Sequence, residues 1–208
     1  TYNDPDVRTR VGIDVSQYQG DVDWESVART EVDFVIARVG GRGYTAGAIY
    51  EDTKFDEYAD GASRAGLQVG AYFFSQAISV AEAEEEAYFV LDKLRGHNIT
   101  GPVVFDWEVI GKSEARTYGI ETGVLCAAAN AFCEIIEDAG YDAMIYITDY
   151  AGYVKYDLSK VMDYPLWYAR YDVSAPAFYY DFAMWQYSSK GSVDGIKGNV
   201  DMDIWFIK

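Results

Sequence analysis

Eight short runs rich in Val, Ile, Phe, Tyr and Trp recur along the 208-residue chain, and helical patterns separate the early ones. They are Val11–Val15, Phe34–Val39, Val69–Phe74, Val103–Glu108, Ala143–Ile147, Leu166–Tyr171, Phe182–Tyr187 and Val200–Ile207. Strands alternating with helices point to βαβ units and a parallel sheet. Eight of them in one chain predict an α/β fold in which the sheet closes into a TIM-like barrel. A regular barrel of this kind takes ~250 residues, so some helices must be missing.

The shortage falls late. Between Tyr187 and Val200 the sequence reads Ser-Ser-Lys-Gly-Ser-Val-Asp-Gly-Ile-Lys-Gly-Asn, with no helical stripe. A parallel partner needs a crossover of about a dozen or more residues, usually helical. A long hairpin is therefore expected, with the last strand antiparallel to its neighbour. That orientation brings Asp201, at the start of the last strand, to the rim where the parallel strands end.

The helices carry their own punctuation. Ser79 and Glu82 form a capping box, followed by Ala83, Ala87, Val90, Leu91 and Leu94 at helical spacing before Gly96. Phe55, Tyr58, Ala62 and Ala65 form a second stripe ending at Gly66. Leu125, Ala128, Ala129, Phe132, Ile136 and Ala139 form a third ending at Gly140. Glu84–Glu86 reads as a mostly solvated face, and His97 as a solvent-facing turn residue. Thr1–Arg10 is polar and aperiodic, which suggests a linker or trimmed N-terminal segment before a single domain over 11–208.

Seventeen basic against thirty-four acidic residues give a net charge of −17. So acidic a surface repels phosphate backbones and argues against nucleic acid as a partner. No apolar run approaches the ~18–20 residues of a membrane span, and no signal peptide is visible. Cys126 and Cys133 lie two helical turns apart, roughly 10 Å, beyond disulfide reach, and read as core thiols. With His97 the only histidine, a histidine-rich metal site or a Ser-His-Asp triad is hard to assemble. Gly41-Arg-Gly-Tyr-Thr-Ala46 spells a dinucleotide fingerprint, but no clear helix opens there. Asn98-Ile-Thr100 is a glycosylation sequon by spelling only.

The strongest chemical signal is Pro102-Val-Val-Phe-Asp-Trp-Glu108. Alternation along a strand puts Asp106 and Glu108 on one face, which in a barrel is the interior near the rim. Carboxylates this close do not both ionise freely, and a protonated acid beside an ionised one suits glycosidic cleavage. Two buried acids paired with arginine are the plain structural alternative. Asp14 ends its strand at the same rim, and Asp201 arrives there through the hairpin; Asp203 shares the face but lies deeper. Aromatic residues cluster at strand ends: Tyr72, Phe73 and Phe74; Trp167, Tyr168 and Tyr171; Trp185 and Tyr187. At least half of these are expected in the core, and the rim members offer platforms for pyranose rings.

Taken in order, Gly12-Ile-Asp-Val-Ser16, Gln17-Tyr-Gln-Gly20, Phe34-Val-Ile-Ala-Arg38 and Gly70-Ala-Tyr-Phe-Phe-Ser75 form the first part of a recognisable pattern. Phe105-Asp-Trp-Glu108, Leu166-Trp-Tyr-Ala-Arg-Tyr171, Met184-Trp-Gln-Tyr187 and Gly198-Asn-Val-Asp201 complete it. The chain resembles glycoside hydrolase family 25, the Chalaropsis-type lysozymes or N-acetylmuramidases, over nearly its whole length. The resemblance implies a flattened eight-stranded barrel with fewer helices than strands, acting on the β-1,4 bond from N-acetylmuramic acid to N-acetylglucosamine. By matching position, Glu108 is the general acid and Asp106 the carboxylate that stabilises developing positive charge. Asp14 and Asp201 are the further rim carboxylates. Tyr72, Phe74, Tyr146, Trp167, Tyr171, Trp185, Gln186 and Arg38 are expected to bind substrate.

No metal or cofactor is implied. The partner expected is the peptidoglycan glycan strand, met by a monomer that is secreted or associated with the wall. Two departures stand out: Phe73 lies in a segment where the family often has histidine, and Asp203 stands where a recurrent ending has asparagine, adding a negative charge near the mouth. A β-N-acetylglucosaminidase, a chitinase or a wall-binding module without catalysis are the alternatives. The D-x-D-x-E chitinase run would need an acid at Val104, and there is none.

Overall fold

The computed structural model describes residues 7–207. Among these, β1 (Arg8–Val15), β2 (Val32–Arg42), β4 (Gln68–Ser75), β5 (Val103–Trp107), β6 (Ala143–Thr148), β7 (Leu166–Ala169), β8 (Met184–Gly191) and β9 (Val200–Ile207) close into a ring. β3 (Ile49–Glu51) is a short extra strand outside it, antiparallel to the end of β2. Pairing is parallel from β1 through β2, β4, β5, β6, β7 to β8. β9 is antiparallel to both neighbours, β8 and β1, and seals the barrel as the glycine-rich 188–199 segment requires.

Four helices serve the ring: α1 (Trp24–Val27), α2 (Phe55–Arg64), α3 (Val80–Leu94) and α4 (Thr122–Asp138). From β6 onward the connections carry only single turns or irregular chain. The start of α3 is held as the capping box demands: Ser79 Oγ accepts from the Glu82 N–H at 3.3 Å. Glu82 reaches back one residue further than expected, accepting from the Ile78 N–H at 2.9 Å. Gly66, Gly96 and Gly140 follow the three long helices with φ of 89°, 88° and 90°, a left-handed turn that side chains disfavour.

Strand alternation divides the apolar residues into two sets. Outward-facing Val35, Val69, Phe73, Phe105 and Ile145 pack beneath the helices, with Phe105 and Phe132 rings 5.2 Å apart. Inward-facing Phe34, Ile36, Val104, Met144, Trp167 and Met184 fill the barrel below its mouth. Gly12 is required here: a Cβ would lie 2.2 Å from the Phe34 ring.

Several expectations need correction. β1 starts at Arg8, so residues 8–10 pair with β9. As expected, no helix opens at Gly41–Ala46, which runs from the end of β2 into the β2–β3 turn. Glu86 is fully buried, because it meets Arg42 Nε at 2.7 Å and the Ser75 hydroxyl at 2.6 Å, while Glu84 and Glu85 stay exposed. His97 is tucked against the Phe55 ring, its two ring nitrogens 2.7 Å and 3.1 Å from the Asp60 and Asp56 carboxylates. Cys126 and Cys133 are buried free thiols. No described helix is long and apolar enough to cross a membrane.

Candidate active site

The C-terminal ends of the parallel strands form one mouth, and four carboxylates reach it from three strands. Asp14 near the end of β1 stands opposite Asp201 at the start of β9 in the antiparallel register. Asp106 lies in β5, level with Phe74 of β4 and Tyr146 of β6. Glu108 follows just past the end of β5, half-buried, as is Asp201, whereas Asp14 and Asp106 are buried.

Burial raises the pKa of all four, since a carboxylate loses hydration there. Their mutual charge adds to this: Asp203, Asp201 and Asp106 act on Asp14, Glu108 acts on Asp106, and Asp201 acts on Glu108. Two influences oppose it. The Gln186 amide bond stabilises the Asp14 anion, and the Arg38 guanidinium stabilises that of Asp106. Asp106 Oδ1 is buried without a hydrogen-bond partner among the described residues.

Gln186 is the hub of one wall. Its Nε2 donates to Asp14 Oδ2 at 2.7 Å, and its Oε1 accepts from the Tyr146 hydroxyl at 2.9 Å and the Tyr171 hydroxyl at 2.5 Å. Across the mouth, Arg38 is held by Asp52 at 2.7 Å and lies 5.1 Å from the centre of the exposed Tyr18 ring. Asp52 in turn accepts from the backbone N–H groups of Gln17 and Lys54, each at 3.0 Å.

Most of the side chains expected to bind substrate face this space, but two do not lie as expected. Tyr72 and Phe74 share the inner face of β4, half-buried. Tyr171 is 38% exposed and offers its ring to solvent. Trp167 is only 1% exposed; it forms the floor, edge-on to Tyr146 at 5.0 Å, and cannot stack on a sugar. Trp185 points outward, because its neighbours Met184 and Gln186 take the inner face, and its Nε1 donates to the Arg170 carbonyl at 2.8 Å.

Three further residues shape the site. Tyr50, carried by β3, lies within electrostatic reach of Arg38 and Asp106 and joins Tyr18 at the mouth. Gln76, fully buried after β4, donates to the Glu108 carbonyl at 3.0 Å and accepts from the Thr117 hydroxyl at 2.8 Å. None of Tyr18, Tyr50 and Gln76 was among the residues expected from the sequence; Tyr18 lies in the Gln17-Tyr-Gln-Gly20 run, but nothing local marks Tyr50 or Gln76. Among the described residues no group of three or more His, Cys, Asp or Glu side chains has an arrangement suited to a metal ion. A cavity of about 590 Å³ opens at the other end of the barrel, around Trp205 and Phe206, away from these carboxylates.

A closed, mainly parallel barrel with paired acids at the C-terminal ends of its strands is the architecture of a barrel glycosidase. Residues 13–196 match Glycosyl hydrolases family 25, and the chain belongs to that family. It is similar to the Autolytic lysozyme of Clostridium acetobutylicum, 31% identical over 193 residues and 92% of this chain. It is also similar to Lysozyme M1 of Streptomyces globisporus, 31% identical over 201 residues and 91% of this chain. The alignments span 54% and 65% of those two proteins' own lengths. The crystal structure of the bacterial lysozyme from Streptomyces coelicolor superposes with a TM-score of 0.76 at 28% identity, covering 93% of this chain and 90% of that one.

Proposed function

We propose that this chain is a peptidoglycan hydrolase, a lysozyme of the 1,4-β-N-acetylmuramidase type. The observation that carries the reading is the convergence of Asp14, Asp106, Glu108 and Asp201 on one open end of the barrel, with Asp106 Oδ1 unpartnered among the described residues.

Glu108 is the general acid. Its burial and the charge of Asp201 raise its pKa, so it keeps a proton to give to the leaving glycosidic oxygen. Asp106 is the carboxylate set to meet the developing positive charge at the anomeric carbon; burial and the charge of Glu108 push its pKa up, and the Arg38 guanidinium works against them in favour of the anion. The Asp106 carboxylate is the acceptor for the N–H of a 2-acetamido group, orienting that group's carbonyl oxygen for attack. That oxygen's electron pair forms a bond to the anomeric carbon as the bond to the leaving sugar breaks, and water later opens the ring. Asp14 and Asp201 hold substrate and tune the pair. Tyr72, Phe74, Tyr171, Tyr18 and Tyr50 line the approach. On this reading the protein acts at the cell wall, secreted or wall-associated, and as a monomer.

Glu108→Gln should fold normally and lose wall lysis by orders of magnitude. Borohydride reduction of wild-type products should yield muramitol; glucosaminitol would assign a glucosaminidase instead, and full lysis by Glu108→Gln would remove Glu108 as the acid.

A further inference from the structure

We infer that a cavity beside the proposed acid, lined by Lys112 and Lys155, binds a carboxylate of the peptide stem that N-acetylmuramic acid carries. The inference rests on the muramidase reading and names what the site takes besides the glycan. The loop after β5 and the turn Ala151–Lys155 after β6 frame this cavity of about 490 Å³, at the same end of the barrel as the four carboxylates. Trp107 and Val109, the residues on either side of Glu108, both line it. Consecutive Cα atoms are ~3.8 Å apart, so the cavity wall begins one residue from the acid.

Its charge is the reverse of the chain's. Acidic residues outnumber basic ones 34 to 17, yet no Asp or Glu lines this cavity. Glu114, on the same loop, is exposed and outside the lining. Lys54, Lys93 and Lys160 are each held by a carboxylate, whereas Lys112 and Lys155 form no ion pair among the described residues. Each lies against a tyrosine instead. Lys112 Nζ is 5.2 Å from the centre of the Tyr44 ring and 3.4 Å from its hydroxyl, and Lys155 Nζ is 6.0 Å from the centre of the Tyr150 ring. An ammonium has three N–H donors, so both lysines keep donors for an incoming anion.

The chemistry of the substrate selects which anion. Muramic acid bears its peptide through a lactyl group at C3, and that peptide ends in free carboxylates. The acids at the mouth repel such a group over roughly 8–10 Å, and two cations beside them offset the repulsion. Two or three extended stem residues span about 7–11 Å, enough to pass from the sugar over Val109 into the cavity. The exposed Val109, Tyr118 and Tyr150 offer apolar walls to the stem's methyl groups. A phosphate of another wall polymer has similar charge but no covalent tether to the sugar in the cleft, so it is not concentrated at this place.

Binding to Glu108→Gln tests this without cleavage. Calorimetry with soluble glycan strands free of teichoic acid should give a Kd about three- to tenfold lower with peptide stems than after an amidase has removed them, the scale of two partly exposed charge contacts. That treatment leaves the lactyl carboxylate on the sugar, so the difference reads the stem. Adding Lys112→Met and Lys155→Met, which keep the alkyl chains and break no ion pair, should bring the two Kd values within about twofold. Converting the stem carboxylates to amides should do the same without any lysine substitution. Equal affinity for both strands, or binding of neither, overturns the inference, as does a preference that survives the lysine substitutions or the amidation. Inorganic phosphate bound through the two lysines in the absence of any stem preference would assign the cavity to phosphate instead. Muramitol reports the bond cleaved and the Kd ratio reports the cavity, so either reading can fail alone.

Discussion

The Gln76 side-chain amide donates to the backbone carbonyl of Glu108 at 3.0 Å, tying the end of β4 to the residue proposed as the acid. The same amide accepts from Thr117, and Arg116 joins the Gln76 carbonyl at 3.2 Å to Glu82 of α3 at 2.6 Å. Gln76→Ala breaks this tie. It should cost ~1–3 kcal/mol of stability by leaving buried groups unpaired. It should also lower kcat about tenfold, with KM less affected, because Glu108 loses its fixed position. Kinetics and chemical denaturation of the variant provide the check; an unchanged kcat would leave Gln76 a purely structural residue.

Gln186→Leu should shift the acid limb of the pH–activity profile upward. The Gln186 bond favours the Asp14 anion, so without it Asp14 ionises only at higher pH. The Tyr146 hydroxyl also loses its acceptor, adding a stability cost of ~1–3 kcal/mol. A profile superimposable on wild type would show that Asp14 ionisation does not govern the acid limb.

Glu86 should make stability pH-dependent. Burial pushes its carboxyl up to about 7, against the bonds from Ser75 and Arg42. In the unfolded chain it titrates at about 4.3, so between the two values the folded form holds a proton that the unfolded form has released. Stability therefore falls as pH rises through this window, by up to roughly 3 kcal/mol, and levels off above it. Denaturant midpoints measured at intervals from acid to neutral pH should show this slope in wild type and a shallower one in Glu86→Gln. Parallel curves would contradict the assignment.

Gly12→Ala should destabilise the barrel by ~1–3 kcal/mol or more, since the new methyl meets the Phe34 ring, itself packed edge-on against Trp205 at 5.5 Å. A melting temperature equal to wild type would require the ring to have room to move, contrary to the packing seen.

What the sequence makes legible is local, or follows from chain length. The glycines after α2, α3 and α4 mark helix ends because a left-handed residue is needed there, and the glycine-rich stretch after Tyr187 carries no helical stripe with which to build a crossover. That second fact alone brought Asp201 to the same end as Asp106. Long-range pairing is what one dimension hides. Glu86 looked solvated because Arg42 is 44 positions away, and His97 looked free because its aspartates belong to another helix. Trp185 is different: it could have been excluded from the sequence, since adjacent residues of a strand cannot both face inward and Gln186 already does. Tyr50 depended on β3, three residues too few to leave a periodic trace.

The reversed direction of β9 ties assembly to competence. The same eight residues that join β8 to β1 also supply Asp201, so a chain that stops before Val200 has neither a finished wall nor a full set of acids. A nascent or truncated form thus remains chemically incomplete until the moment its shape is complete.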